Sequence, residues 1–137
     1  MPYYAHIRQD ENGETIYQTV AEHLTGTAAL CREFAADFGA EADGDLMGLA
    51  HDLGKCTDAF QKRLLEGGPV VDHTTAGMLT CIRMKRPSAA ACVAGHHGGL
   101  LDVGNLRTDR AGEATLSGRF KKGVEGYYLC LLYTSPS

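Results

Sequence analysis

Five histidines, His23, His51, His73, His96 and His97, fall at the ends or along the apolar edges of helical patterns, and His51 is followed directly by Asp52. Imidazole binds first-row divalent ions well, and a carboxylate can bridge two of them. A His-Asp step means little alone, because a chain with 6 histidines and 9 aspartates holds roughly 0.4 such pairs by chance. Requiring Gly54 and Lys55 as well lowers that expectation to roughly 0.002, so His51-Asp52-Leu53-Gly54-Lys55 is a signal. Each other histidine taken singly is as well explained by surface or core packing. Together, in this order and on helices, they make a ligand set. Adjacent residues on a helix point about 100° apart, so His51 and Asp52 need other helices to bring His23, His73 and the His96-His97 pair around them. Lys55, one turn after His51, is placed to pair with a phosphate oxygen. A solvated lysine favoured by the helix dipole is the competing account.

The elements that must do this positioning read as helices. The opening to about Gly13 is polar and turn-like, with Asn12-Gly13 the turn signal. A helix is expected from about Ile16 to Phe38, with Val20, Leu24, Ala28, Cys31, Phe34 and Phe38 at three- and four-residue steps and Gly39 as the stop. A second helix should start at Asp43 or Asp45 and end near Gly54 in a left-handed glycine, which places His51 and Asp52 in its last turn. A third runs from Thr57, as N-cap, to about Glu66 before Gly67-Gly68-Pro69. Asp72 is read as the cap of a fourth, from His73 to about Met84. Pro87 suits the first turn of a fifth, which ends at His96-His97-Gly98-Gly99. Past Leu101 the pattern weakens. Phe34, Phe38 and Phe60 are read as core.

The chain is long enough for one compact domain with a hydrophobic core. A formal charge of −4, with only two short basic clusters (Arg83, Lys85, Arg86 and Arg119, Lys121, Lys122), leaves no obvious basic patch. A nucleic-acid substrate would therefore need bound metal or a partner to supply positive charge. Five cysteines without C-x-x-C spacing or a preceding secretory signal read as reduced thiols in a cytoplasmic protein. No apolar run approaches a membrane span. The string Leu129–Ser137 resembles translated sequencing-adapter readthrough, so residues 1–128 are taken as one domain, cut short at its C-terminus, and 129–137 as a non-native tail.

His23, then His51-Asp52-Leu53-Gly54-Lys55, then Asp72-His73-Thr74-Thr75-Ala76-Gly77, then Gly95-His96-His97-Gly98-Gly99 resembles the HD superfamily of metal-dependent phosphohydrolases. The doubled histidine before two glycines, with Tyr4-Ala5-His6 ahead of the first helix, is similar to the CRISPR-associated HD nuclease, the nuclease part of the type I (Cas-three) interference helicase-nuclease. The resemblance covers roughly residues 3–109. It implies an all-α bundle around one or two divalent ions (Mn, Ni, Co, Fe, Zn or Mg) and endonucleolytic cutting of DNA, preferentially single-stranded, in antiviral defence. It also implies a helicase domain or subunit and an RNA-guided surveillance complex as partners. Carried over by motif, His23, His51 and Asp52 hold one ion. Asp52 bridges to a second held by His73, His96 and His97, with Asp52 and Lys55 catalytic.

The family completes its first site with an aspartate from a later helix. Here only Asp102 and Asp109 follow His97, and neither matches that motif. Two further readings stay open. One is an HD phosphohydrolase acting on nucleotides or cyclic nucleotides, for which a closed cavity rather than an open groove is expected. The other is a metal-binding docking module without turnover.

Overall fold

The structure is a computed structural model that describes residues 3–123. The chain is mostly helical, as expected, but it opens with an antiparallel hairpin of β1 (Tyr4–Gln9) and β2 (Thr15–Thr19). Asn12-Gly13 is the turn between the strands, with Gly13 at φ 79° and Asp10 Oδ1 accepting from the backbone N–H groups of Asn12 and Glu14 at 2.9 Å. The strands were not foreseen, and residues 16–19 belong to β2 rather than to the first helix. Thr15-Ile16-Tyr17-Gln18-Thr19 is rich in β-branched and aromatic residues, which suit a half-buried pleated surface. Thr19 then closes a reciprocal cap with Glu22, so α1 (Val20–Ala36) starts there.

Helix α1 buries Val20, Leu24, Ala28 and Ala35. Phe34 and Phe38, read as core, are 66% and 75% exposed, whereas Phe60 is buried. Helix α2 (Glu41–Ala50) lies against α1 through glycines. A Cβ on Gly44 would stand 2.6 Å from the Cys31 carbonyl oxygen, and one on Gly48 would collide with the Ala28 backbone. Helix α4 (Thr75–Arg83) presses on the other side, where a Cβ on Gly77 would collide with the Ala50 carbonyl oxygen. These close approaches fix where α2 ends, and hence where His51 stands.

Between α2 and α4 lie one 3₁₀ turn (Leu53–Lys55) and α3 (Asp58–Glu66), which starts on its expected cap, Thr57. The fifth helix, α5 (Pro87–Gly95), begins at the proline and stops at His96 as read. The weak region after Leu101 contains one more helix, α6 (Leu116–Lys122). Leu24, Val20, Met78, Val93, Cys56 and Cys81 are fully buried at the centre of the core. Cys31, Cys81 and Cys92 carry free thiols. Among the described residues no helix is long and apolar enough to cross a membrane. The proposed tail 129–137 lies outside the described residues.

Candidate metal centre

The chain leaves helical geometry between His51 and Asp52. His51 caps α2 at φ −55° and ψ −37°, while Asp52 sits at φ −118° and ψ 24°. The two residues are therefore not spread around one helix, as the sequence reading had it, and His51 Nε2 stands 3.3 Å from Asp52 Oδ2. Asp52 is buried, and its two oxygens face different imidazoles. Oδ2 is 2.9 Å from His23 Nε2, which comes from α1. Oδ1 is 3.2 Å from His96 Nε2, 3.8 Å from His73 Nε2 and 3.9 Å from His97 Nε2.

Backbone carbonyls orient three of the rings. His51 Nδ1 donates to Gly48 O at 2.7 Å, His96 Nδ1 to Val93 O at 2.7 Å, and His73 Nδ1 more weakly to Val71 O at 3.3 Å. A carbonyl only accepts, so each Nδ1 carries the proton and, in the neutral ring, Nε2 is left with its lone pair toward Asp52. His23 Nε2 and His51 Nε2 are 3.1 Å apart, and His73 Nε2 and His97 Nε2 are 2.9 Å apart. The lone pairs of His51 and His73 thus face the Nε2 atoms of His23 and His97, so each short gap is closed either by a proton on His23 or His97 or by a cation.

These separations suit a metal. Ligand atoms bonded at ~2.1 Å stand ~3.0 Å apart at right angles and ~3.4 Å apart in a tetrahedron. Two groups have the necessary convergence: His23, His51 and Asp52, and Asp52, His73 and His97. His96 joins the second through Oδ1, and this second set is the wider of the two. All six residues expected to bind metal are thus brought together. Asp102 and Asp109 are in neither group. Asp109 instead accepts from Thr115 Oγ1 at 2.7 Å and from the Asn105 N–H at 3.0 Å.

Burial alone would push the Asp52 carboxyl up, but hydrogen bonds with His23, His51 and His96 outweigh it and hold the group far below the carboxylate range. His96 is raised, first by its hydrogen bond to Asp52 and against the effect of burial. His97 is lowered by desolvation and by the neighbouring His96 and His73.

Lys55 is neither solvated nor turned outward. Its side chain is 7% exposed, and Nζ stands 3.4 Å from Asp52 Oδ2 while donating to Ala5 O at 3.3 Å. The ammonium is thus engaged with the Asp52 carboxylate and the Ala5 carbonyl.

Three further residues support the site, of which only Asp72 was given a structural role from the sequence. His6 packs its ring edge-on against His23, with centroids 4.8 Å apart. Its signal was present in Tyr4-Ala5-His6 but not used for the site. Asp72 does cap the turn before α4, accepting from the N–H groups of Thr74 and Thr75 and from the Thr75 hydroxyl, and it also pairs with Lys122 at 2.9 Å. Arg119 of α6 donates to Thr74 Oγ1 at 2.9 Å and to Ala94 O at 2.8 Å, joining the segment after His73 to the end of α5 before His96. No local pattern announces that contact.

The sequence matches the HD domain family over residues 20–119, a span that runs from the first residue of α1 into α6 and contains all six converging residues. The search of curated proteins returns no significant match. The chain therefore belongs to the HD domain family, whose members are generally metal-dependent hydrolases.

Proposed function

We propose that this HD domain is a metal-dependent endonuclease that hydrolyses phosphodiester bonds of DNA, preferentially single-stranded, as the nuclease part of type I CRISPR interference. In this reading His23, His51 and Asp52 hold one divalent ion, and Asp52, His73, His96 and His97 a second. The observation that carries it is the division of the two Asp52 oxygens between two histidine sets. When bound, such ions polarise phosphoryl oxygens, lower the pKa of water and offset the charge that develops at phosphorus.

The chain's own residues do the rest. Asp52 stays ionised and keeps the two sets in register. Lys55 acts through Asp52, holding its orientation and balancing its charge. The carbonyls of Gly48, Val93 and Val71 hold three rings with Nε2 inward. The product-forming step joins a water oxygen to phosphorus and breaks one ester P–O bond, with the proton passing to the leaving oxygen.

Support for a strand over a nucleotide comes from access. The His97 side chain is 59% exposed, and it opens on a wide cleft of about 430 Å³ lined by His73, Thr74, Arg119 and Lys122 rather than on a closed cavity. A helicase and an RNA-guided surveillance complex are the partners this reading calls for. The test is cleavage of circular single-stranded DNA with manganese by the purified protein and by Asp52→Ala. The wild type should nick the circle and the variant should not. A wild type that binds manganese and leaves the circle intact sinks the nuclease reading and turns attention to nucleotides.

A further inference from the structure

The imidazoles of this protein form a row. Centroid separations are 4.8 Å from His6 to His23, 4.9 Å from His23 to His51, 5.2 Å from His51 to His96, 4.0 Å from His96 to His97 and 4.8 Å from His97 to His73. Each end of the row opens into a cleft. At the His73 end the cations are already committed, since Lys122 pairs with Asp72 and Arg119 is bound to Thr74 and Ala94. At the His6 end a cleft of about 420 Å³ is lined by His6, Arg8, Ile16, Tyr17, Gln18 and Glu22.

Arg8 is exposed, and among the described residues its guanidinium makes no hydrogen bond or ion pair. His6 and Arg8 are two residues apart on β1, so they share one face of the hairpin, opposite Gln18 and Ile16 of β2. Tyr17, between those two on β2, turns its ring to the other face of the hairpin, where it packs against Tyr4 with centroids 4.9 Å apart. Glu22 is the one acidic group there, and its carboxylate is taken up by the Thr19 hydroxyl at 2.8 Å in the cap of α1. A free guanidinium in an open cleft that begins at the end of the imidazole row is suited to a backbone phosphate, which it can hold with two parallel hydrogen bonds.

We propose that the hairpin cleft is a strand-binding subsite next to the metal centre, with Arg8 anchoring a backbone phosphate that neighbours the scissile one. The inference rests on the phosphodiesterase reading above and extends it to residues outside the span matched by the HD family. In a protein of formal charge −4 without a broad basic patch, one uncommitted arginine at the mouth of the site carries unusual weight.

The experiment is fluorescence anisotropy of a labelled single-stranded oligonucleotide with manganese-loaded protein over a range of salt. Wild type is compared with Arg8→Gln, Arg8→Lys and Arg32→Gln, the last a surface arginine on α1 that lines neither cleft. Arg8→Gln should weaken binding by roughly 5- to 10-fold and reduce the slope of log K against log salt by about 0.7, the share of one phosphate contact on a single strand. Arg8→Lys should keep most of the slope, and Arg32→Gln all of it. Equal affinity and slope in wild type and Arg8→Gln would overturn the subsite. So would an equal loss in Arg32→Gln, or no oligonucleotide binding by wild type at low salt. Hydrolysis of bis(4-nitrophenyl) phosphate by the wild type separates the two claims. This diester carries no neighbouring phosphate, so its failure to react counts against the phosphodiesterase reading, while the anisotropy decides on Arg8.

Discussion

Asp52 turns out of the α2 helix, and Gly54 two residues later lets another strand of chain come close enough to use that turn. Sequence logic expected Gly54 to be a left-handed helix stop. It has no positive φ; instead, a Cβ at this position would collide with the Cα and carbonyl of His73. The glycine of His51-Asp52-Leu53-Gly54-Lys55 is therefore there so that the His73 backbone can lie against the 3₁₀ turn. Gly54→Ala should push that backbone away, at a cost of about 1–3 kcal/mol, as for an overpacked core. It should also remove His73 from the Asp52 Oδ1 set. Urea unfolding measures the first effect, and calorimetric manganese titration the second, as a loss of the wider of the two sites. Full stoichiometry in a variant that unfolds like wild type would refute this account. The motif was legible because it is a rare local string, but the reason for its glycine was not, because that reason lies 19 residues away in contact.

At the scale of elements, five helices were legible because periodicity, Thr57, Pro87 and the Gly67-Gly68-Pro69 break are local signals, whereas the Thr19 start of α1, both ends of α2 and the Thr75 start of α4 were not. Periodicity alone did not settle which of two neighbouring stripes on α1 faces inward. Val20, Leu24, Ala28 and Ala35 do, and Phe34 and Phe38 lie beside that line in solvent. The hairpin was hidden by the polar turn at its centre, and α6 by its shortness and by a polar anchor, Arg119, whose partners are far away in sequence. That anchor gives α6 a task. Thr74 follows His73 directly, and Ala94 precedes His96 by two residues, so one guanidinium ties together the two segments that carry His73, His96 and His97. Arg119→Ala leaves the Thr74 hydroxyl and the Ala94 carbonyl without this donor, a loss of about 1–3 kcal/mol. In manganese titrations it should weaken the His73–His97 site and leave the His23–His51 site close to its wild-type affinity. An equal weakening of both sites would mean that Arg119 supports the fold in general and not that pair of segments.

For the molecule as a whole, the centre acts as a tie between elements that are otherwise joined by small residues and short loops. His23 comes from α1, His51 from the end of α2, Asp52 from the turn after it, His73 from the segment before α4, and His96 and His97 from the end of α5. In the unfolded chain these groups are dispersed, so an ion that binds the folded set shifts the folding equilibrium by mass action. At a free manganese concentration of 100 times the dissociation constant the gain is about 2.7 kcal/mol. For a domain of this size that raises Tm by roughly 8–16 °C relative to protein kept in chelator. The cross-link also depends on Asp52, the one residue common to both groups. Asp52→Ala removes an ionised carboxylate from among five imidazoles and the Lys55 ammonium, so the metal-dependent rise in Tm should collapse to a small remainder whatever the variant's baseline stability. Differential scanning calorimetry of both proteins, with manganese and with chelator, reads this directly. A rise of the same size in Asp52→Ala would mean that the ion stabilises the bundle from somewhere other than this centre.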